Sequence, residues 1–213
     1  MIEESFSSTK DGRCSKSDLG MVVTAFPDAS EAGRKMLEMG GNAVDVACAA
    51  ALALGVCEPQ GSGIGGQSVA LLHFAGKTIA IDGSSRAPAL AHSSAFLNDS
   101  ERKVGYKAIT IPTTLAVLGY LNKKYGKLSW KTIVQPAIAI ASTGYRITEL
   151  QSSLFTRELG NFLGVPSQSG ARYFLKGGKQ AYEKGDLFIQ PELANTLSLI
   201  AEQGYQALYT GSI

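Results

Sequence analysis

The strongest constraint on the fold is an apolar segment, "AVDVACAAALALGVC", that runs from Ala43 to Cys57 and leads directly into a glycine-rich loop. Its one charged side chain is that of Asp45, and apolar residues occupy nearly every face of the helix that it predicts. Such a helix is stable in a water-soluble protein only when other layers of structure cover it. The segment is also shorter than the roughly 20 residues that a membrane-spanning helix needs. The pattern therefore predicts a buried helix over residues 43–56.

Short signals predict the elements around this helix. Asn42, with Asp45 three residues on, predicts its N-terminal cap. Upstream, small and apolar residues at helical spacing over residues 29–37 predict another helix, and "GMVVTAF" at residues 20–26 predicts a short buried strand. Downstream, "SVALLHF" and "KTIAID" predict two strands joined by a short turn. Because both strands are apolar on both faces, we expect a sheet that is covered on each side.

Three further helices are predicted in the second half of the chain. The first begins at Pro112 or Thr113. The second covers "SWKTIVQPAIAIAS", in which Pro136 marks either a kink or the start of a new helix. The last begins at Pro191 and ends at Gly204.

The composition is that of an ordinary globular protein, with 45% hydrophobic and 18% charged residues among 213. A net charge of +2 gives no reason to expect nucleic acid or a membrane surface as a partner. The first residues do not have the pattern of a signal peptide, which predicts a cytoplasmic protein. Residues 1–18 are polar and aperiodic, so we expect a loose arm there and one domain over residues 19–213.

The cysteines give no sign of a metal site. Cys14, Cys48 and Cys57 do not have metal-ligand spacing. The apolar surroundings of Cys48 and Cys57 predict buried, reduced thiols. We expect neither a metal nor a cofactor.

The loop "EPQGSGIGG", residues 58–66, raises the question of a phosphate site. In the common phosphate-binding motifs the glycines lie between a strand and a following helix, whose first amides hold the anion. Here the order is reversed, because a helix precedes the glycines and a strand follows them. We therefore expect the glycines to provide positive φ angles or close backbone contacts at a packed junction. A nucleotide-binding α/β domain would depend on this loop alone.

Few residues have the pattern of a hydrolytic centre. His73 lies in an apolar strand, where a hydrogen-bonded structural role is expected, and His92 lies in a loop without recognisable partners. Thr113 and Thr114 follow Pro112 at a predicted helix start, so helix capping is the better interpretation.

The loop after the second strand holds the best binding candidates. "IDGSSRAPA" places Ser85 and Arg86 just beyond a strand, at the mouth of the sheet. A guanidinium group can pair with a carboxylate through two parallel hydrogen bonds. The pattern predicts either a substrate-carboxylate site formed by Arg86 and Ser85 or a surface arginine at a turn.

In combination, the blocks ASEAG, GGNAVD, EP-x-x-SGIGG and KYGKL resemble the large-subunit part of the gamma-glutamyltranspeptidase family. The resemblance extends over about residues 20–213. It implies an α+β fold, the αββα sandwich of the N-terminal-nucleophile hydrolases, of which this chain is a part that is incomplete at the C-terminus. Family members are made as precursors that cleave themselves. The threonine at the new N-terminus of the small subunit is then the nucleophile that forms an acyl-enzyme.

Two departures from the family pattern affect the expected function. The threonine-threonine-histidine run that carries the nucleophile is absent from this sequence, so the resemblance implies activity only together with a small-subunit partner. Gamma-glutamyl enzymes of the family place a substrate-binding arginine two residues after the strand aspartate, where this chain has Ser84, and Arg86 follows two residues later. The form "GSSRAP" is similar to that of the related amidohydrolases and acylases.

The sequence therefore predicts part of an enzyme that hydrolyses a small amide or transfers its acyl group, gamma-glutamyl or related. The alternatives are an amidohydrolase or acylase that is not specific for gamma-glutamyl substrates, and a non-catalytic binding scaffold.

Overall fold

The computed structural model describes residues 16–18, 20–103, 105–164, 169–211 and 213. The predicted arm, residues 1–18, falls outside this set except for residues 16–18, so it stays a prediction. The helices are α1 (Pro27–Glu38), α2 (Ala43–Cys57), α3 (Thr114–Tyr125), α4 (Trp130–Thr143), α5 (Glu149–Gly164), α6 (Ser169–Phe174), α7 (Pro191–Gln203) and α8 (Ala207–Thr210). The strands are β1 (Ser68–Phe74), β2 (Lys77–Gly83), β3 (Tyr145–Arg146) and β4 (Leu187–Phe188), and short 3-10 turns lie at Ser93–Ala95, Asp99–Arg102 and Tyr106–Ala108.

The apolar segment forms the central helix, as predicted. α2 packs against α1, α3 and α4, and Leu52 and Val56 are fully enclosed. The Asn42 side chain accepts hydrogen bonds from the amides of Val44 (2.9 Å) and Asp45 (3.2 Å), while the Asp45 carboxyl group accepts one from the Asn42 amide (2.9 Å). This reciprocal capping confirms the predicted start of the helix. Among the described residues, no helix is long and apolar enough to cross a membrane.

Asp45 also joins two stretches that are far apart in the sequence. Its carboxyl oxygens accept hydrogen bonds from the amides of Lys127 (3.0 Å) and Leu128 (3.3 Å) and from the Asn122 side chain (3.4 Å). These residues and Asn42 form what we call the Asp45 cluster, in which Asp45 itself is fully buried. The blocks GGNAVD and KYGKL therefore meet in space and fix the start of α2 against the end of α3.

Residues 20–26 do not form the predicted strand. The segment runs beside α2, lines a groove of about 670 Å³ with it, and leaves Val23 82% exposed. A strand needs a neighbour for its backbone hydrogen bonds, and none of the described strands pairs with this segment. Phe26, at its end, is buried. The prediction is wrong because apolar composition indicates where side chains pack and does not supply a pairing partner.

β1 and β2 form the predicted hairpin, with Ser68 opposite Gly83 at its open end. One face packs toward the core through three apolar side chains, those of Ala70, Leu72 and Ile81. On the other face Val69 and Leu71 are 73% and 77% exposed. Alternate residues of a strand point to opposite faces, and no described element covers the second face. The expected two-sided cover is therefore found on one face only in the described part of the chain.

The C-terminal helices complete the core. α4 continues through Pro136 as one helix, so no new helix begins at the proline. α7 begins at Pro191 and is followed by Gly204, as predicted, and it packs against α4 with Leu197 and Ile200 buried. The strands β3 and β4 pair beside a smaller aromatic core around Phe188.

Candidate substrate-binding site

The glycine loop, residues 58–67, is a tightly packed connection between α2 and β1. The Glu58 carbonyl accepts hydrogen bonds from the amides of Gly61 (3.0 Å) and Ser62 (2.9 Å), which closes the first turn after the helix. A Cβ atom on Gly55 would lie 3.2 Å from the Cα of Gly63, so loop and helix touch through their backbones. The predicted close contact is confirmed. The alternative, a positive φ angle, does not occur at any glycine of this loop.

The end of the loop occupies the amides at which an anion would bind. The Gly66 carbonyl accepts hydrogen bonds from the amides of Thr113 (2.9 Å) and Thr114 (3.2 Å) at the start of α3. Helix N-termini bind anions through first-turn amides that have no acceptor within the protein. In this structure the protein itself uses these two donors.

Thr113 occupies the N-cap position of α3, but its side chain does not cap the helix. Its hydroxyl group instead donates a hydrogen bond to the carbonyl of Gly83, at the end of β2. A Cβ atom on Gly83 would lie 2.2 Å from the Val117 side chain, so β2 ends in close contact with α3. The capping prediction is wrong for this hydroxyl because the strand end brings an acceptor within its reach, and the sequence does not show that proximity.

Residues 84–86, which we call the 84–86 turn, leave the sheet at this point. Asp82 accepts hydrogen bonds from the hydroxyl (2.6 Å) and the amide (2.9 Å) of Ser84. These two bonds, the hydroxyl first, lower the pKa of the Asp82 carboxyl group below its ordinary value. Asp82 is therefore ionised at neutral pH, and its charge is used to hold Ser84.

The rest of the turn is anchored through its main chain. The Ser85 amide donates to the side-chain oxygen of Gln67 (2.9 Å). Arg86 and Ile111 exchange two backbone hydrogen bonds, of 3.4 Å and 2.8 Å, as an isolated antiparallel bridge. The turn is thus tied to the strand, to the glycine loop and to the segment before α3.

Arg86 extends from this anchored turn into solvent. Its side chain is exposed, and within the described part of the chain no acidic side chain or carbonyl accepts a hydrogen bond from the guanidinium. Ser85 is half-buried beside it. A cation on a fixed main chain, without a protein partner, can bind a carboxylate from solution. The structure therefore brings the two predicted binding residues together in a form suited to that role, and their role stays a prediction.

The two histidines take no part in this site. His73 Nδ1 lies 3.1 Å from the Thr78 hydroxyl, at the opposite end of the hairpin from Gly83, which confirms a hydrogen-bonded position. His92 Nδ1 lies 2.9 Å from the Ser94 hydroxyl, a partner that the sequence interpretation did not identify.

Two of the cysteines are buried and free, as predicted. Burial, and to a lesser degree the charge of Asp45, raises the pKa of the Cys48 thiol to about 12. Burial, with the charge of Asp28 next, raises the pKa of Cys57 to about 12. Neither thiol is a nucleophile at neutral pH. Cys14 lies outside the described residues.

Sequence reasoning did not identify Gln67 or Asp82 as part of the site. The contact between Gln67 and Ser85 spans 18 positions. It arises because pairing Ser68 with Gly83 places the residues on either side of the hairpin opening next to each other. The one available signal was the two-residue turn Ala75-Gly76, which fixes this register.

Comparison with known proteins gives a consistent result. A family model described as Gamma-glutamyltranspeptidase matches residues 29–213. A glutathione hydrolase proenzyme of Bacillus subtilis (strain 168) is 38% identical over 203 residues, which are 90% of this chain and 34% of the relative. Acylase ACY 1 proenzyme of Pseudomonas sp. (strain V22) is 34% identical, over 91% of this chain and 37% of the relative. The chain thus spans about a third of the length of these curated relatives.

The structure agrees with the sequence comparison. The crystal structure of Helicobacter pylori gamma-glutamyltranspeptidase matches with a TM-score of 0.87 and 36% identity, over 92% of this chain and 58% of the other. This likeness confirms the predicted α+β fold class of the N-terminal-nucleophile hydrolases. The Gamma-glutamyltranspeptidase family model matches most of the chain, and curated relatives are more than 30% identical to it. The chain therefore belongs to the gamma-glutamyltranspeptidase family.

Proposed function

We propose that this chain is the large-subunit part of a gamma-glutamyltransferase-like enzyme, which hydrolyses a small amide or transfers its acyl group. Membership of the family supports this proposal, as do relatives that are named glutathione hydrolase proenzymes. In the proposed mechanism, the N-terminal threonine of a small-subunit part, outside this chain, attacks the amide carbonyl, with its own α-amine as base. Backbone amides stabilise the tetrahedral oxyanion, which collapses as the C–N bond breaks and the protonated amine leaves, and water or another amine then accepts the acyl group from the threonine oxygen.

The proposed partner is the polypeptide that carries this threonine. The exposed face of the β1–β2 hairpin supports it, because Val69 and Leu71 are 73% and 77% exposed on neighbouring positions of one face. Contiguous apolar surface of this kind indicates a contact with further protein. The curated relatives are longer than this chain. Polypeptide that corresponds to their additional length can cover the exposed face of the hairpin.

In this enzyme, Arg86 and Ser85 bind the carboxylate of the substrate. The observation that carries this assignment is the exposed guanidinium, without a hydrogen-bond partner among the described residues, on a turn held by Asp82, Gln67 and Ile111. An anchored main chain reduces the freedom that Arg86 loses when it binds, and this favours affinity.

A second candidate is an acylase that does not require a gamma-glutamyl group. Ser84 stands where the family's gamma-glutamyl enzymes are expected to have an arginine, and Asp82 already engages its hydroxyl group. The relative named acylase, at 34% identity, supports this candidate. Both candidates share the threonine chemistry and differ in the acyl group.

The test uses the full-length protein encoded by the gene and three chromogenic anilides. Gamma-glutamyl anilide carries the α-carboxylate and the α-amine, 4-aminobutyryl anilide lacks the carboxylate, and glutaryl anilide lacks the amine. We expect Arg86→Ala to raise KM for the two carboxylate-bearing substrates about ten- to hundredfold, since a hydrogen bond to a charged group contributes about 1.5–3 kcal/mol. Arg157→Ala, in an exposed arginine of α5, is the matched control.

The outcomes separate the candidates. Preference for glutaryl over gamma-glutamyl anilide favours the acylase. An unchanged KM in Arg86→Ala assigns Arg86 a structural role. If mass spectrometry of the purified protein finds no second chain that begins with threonine, and no anilide is cleaved, the enzymatic proposal fails and the binding scaffold is left.

A further inference from the structure

Gln67 connects the glycine loop to the 84–86 turn. Its Oε1 accepts the hydrogen bond from the Ser85 amide at 2.9 Å. The hairpin register produces this contact, because Ser68 and Gly83 lie opposite each other and the chain leaves the sheet on both sides of that pair. The Gln67 side chain is exposed and takes no part in the hydrophobic core. The hydrogen bond from the Ser85 amide is therefore a described contact that positions this side chain.

Three side chains, at this contact or next to it in the sequence, carry hydrogen-bond donors. They are Nε2 of Gln67, the hydroxyl of Ser85 and the guanidinium of Arg86, none of which donates to another described residue. Nε2 belongs to the same planar carboxamide as the Oε1 that touches Ser85, so it lies beside the turn. A carboxylate accepts about four hydrogen bonds through its two oxygens. A guanidinium alone uses two of them when it binds side on.

We propose that Gln67 is a positioning and specificity residue for the carboxylate of the acyl donor. Oε1 fixes the Ser85 main chain, and so the point from which Arg86 extends. Nε2 donates a further hydrogen bond to the carboxylate that Arg86 binds. The inference rests on the proposed function and adds a contact to the same site. The preferred ligand class is an acyl group with a carboxylate at the end remote from the scissile amide.

Removal of Gln67 is expected to change the site without unfolding it. Ser84 stays bound to Asp82, and Arg86 stays paired with Ile111, on either side of the lost contact. The exposed side chain leaves no cavity when it is shortened. Only the Ser85 amide loses its partner.

The experiment compares Gln67→Ala, Gln67→Glu and the control Gln60→Ala in the full-length protein. Gln60 is an exposed glutamine of the same loop that lines a different cavity, with Leu154 and Phe155. We expect Gln67→Ala to raise KM for gamma-glutamyl anilide about tenfold, with kcat unchanged, because one hydrogen bond to a carboxylate is lost. KM for 4-aminobutyryl anilide does not change. Gln67→Glu keeps the acceptor for Ser85 but replaces the donor, so it does not restore KM.

Hydrogen exchange by mass spectrometry tests the positioning role without catalysis. Peptides that contain residues 84–86 exchange faster in Gln67→Ala than in the parent protein, while Gln67→Glu and Gln60→Ala keep the parent rate. Equal KM changes for both anilides, or unchanged exchange in Gln67→Ala, would overturn the inference. If the parent protein cleaves no anilide, the proposed function fails, and the exchange rates still decide whether Gln67 holds the turn.

Discussion

Two aspartates organise turns in this protein, one in the interior and one at the surface. Asp45 is fully buried and accepts hydrogen bonds from the amides of Asn42, Lys127 and Leu128 as well as from the Asn122 side chain. Asp82 is exposed and accepts hydrogen bonds from the hydroxyl and the amide of one residue, Ser84. The first aspartate closes a cluster completely, and the second leaves its neighbours' donors available.

This difference shows that burial determines whether the hydrogen-bond donors around an aspartate are available to a ligand. In the interior every donor has to be paired, because an unpaired buried polar group is costly. The donors around Asp45 are therefore paired with its carboxyl group. At the surface water can satisfy the donors, so those of Ser85 and Arg86 stay available, as the proposed carboxylate site requires. The blocks GGNAVD and KYGKL, which belong to the cluster, consequently indicate the fold and carry little information on the substrate.

The largest expected effect is at the interior aspartate. Asp45→Ala removes the acceptor of three partly buried amides and of one hydrogen bond from the buried Asn122 side chain, so we expect the free energy of unfolding to fall by about 3–5 kcal/mol. Urea unfolding followed by circular dichroism measures the change. The matched control is Asp99→Ala in an exposed 3-10 turn, for which a change below about 0.5 kcal/mol is expected. Equal losses in the two variants would show that the cluster does not stabilise the fold.

A smaller effect is expected where α3 meets the strand end. Thr113→Val keeps the shape of the side chain but removes the hydroxyl that donates to Gly83, so unfolding should become easier by about 1 kcal/mol. Thr196→Val in α7 is the control, because the Thr196 hydroxyl donates to a carbonyl within its own helix at 3.0 Å. That bond adds little to helix stability. If Thr113→Val lowered the free energy of unfolding as much as Asp45→Ala, the hydrogen bond between Thr113 and Gly83 would belong to the interior and not to the surface site.

The smallest effect concerns reactivity and not stability. In a Cys14→Ser background, Cys48 and Cys57 should react with a thiol reagent at pH 8 only after unfolding, since their pKa values of about 12 leave very little thiolate. Ser84→Cys places a thiol on the exposed turn and should react at once. Fast labelling of Cys48 in the folded protein would contradict the described burial.

Local sequence signals predicted most of the helices and the hairpin. The capping pair Asn42 and Asp45, the helical spacing in α1 and the prolines and glycines at the helix ends act over a few residues, so they can be recognised in the sequence alone. The prediction of a strand at residues 20–26 is wrong because strand formation depends on distant residues and not on local ones. A strand requires a partner from a distant part of the chain, and no local pattern reveals whether one is present.

By itself, the sequence determined the family, the central buried helix and the candidacy of Arg86 with Ser85. Only the tertiary structure decided that Gln67 holds Ser85, that the Thr113 hydroxyl binds Gly83, and that the Asp45 carboxyl group joins two distant blocks. Periodicity and capping follow from the geometry of adjacent residues. Hydrogen bonds between residues tens of positions apart depend on strand register and helix packing, which form only when the whole domain folds.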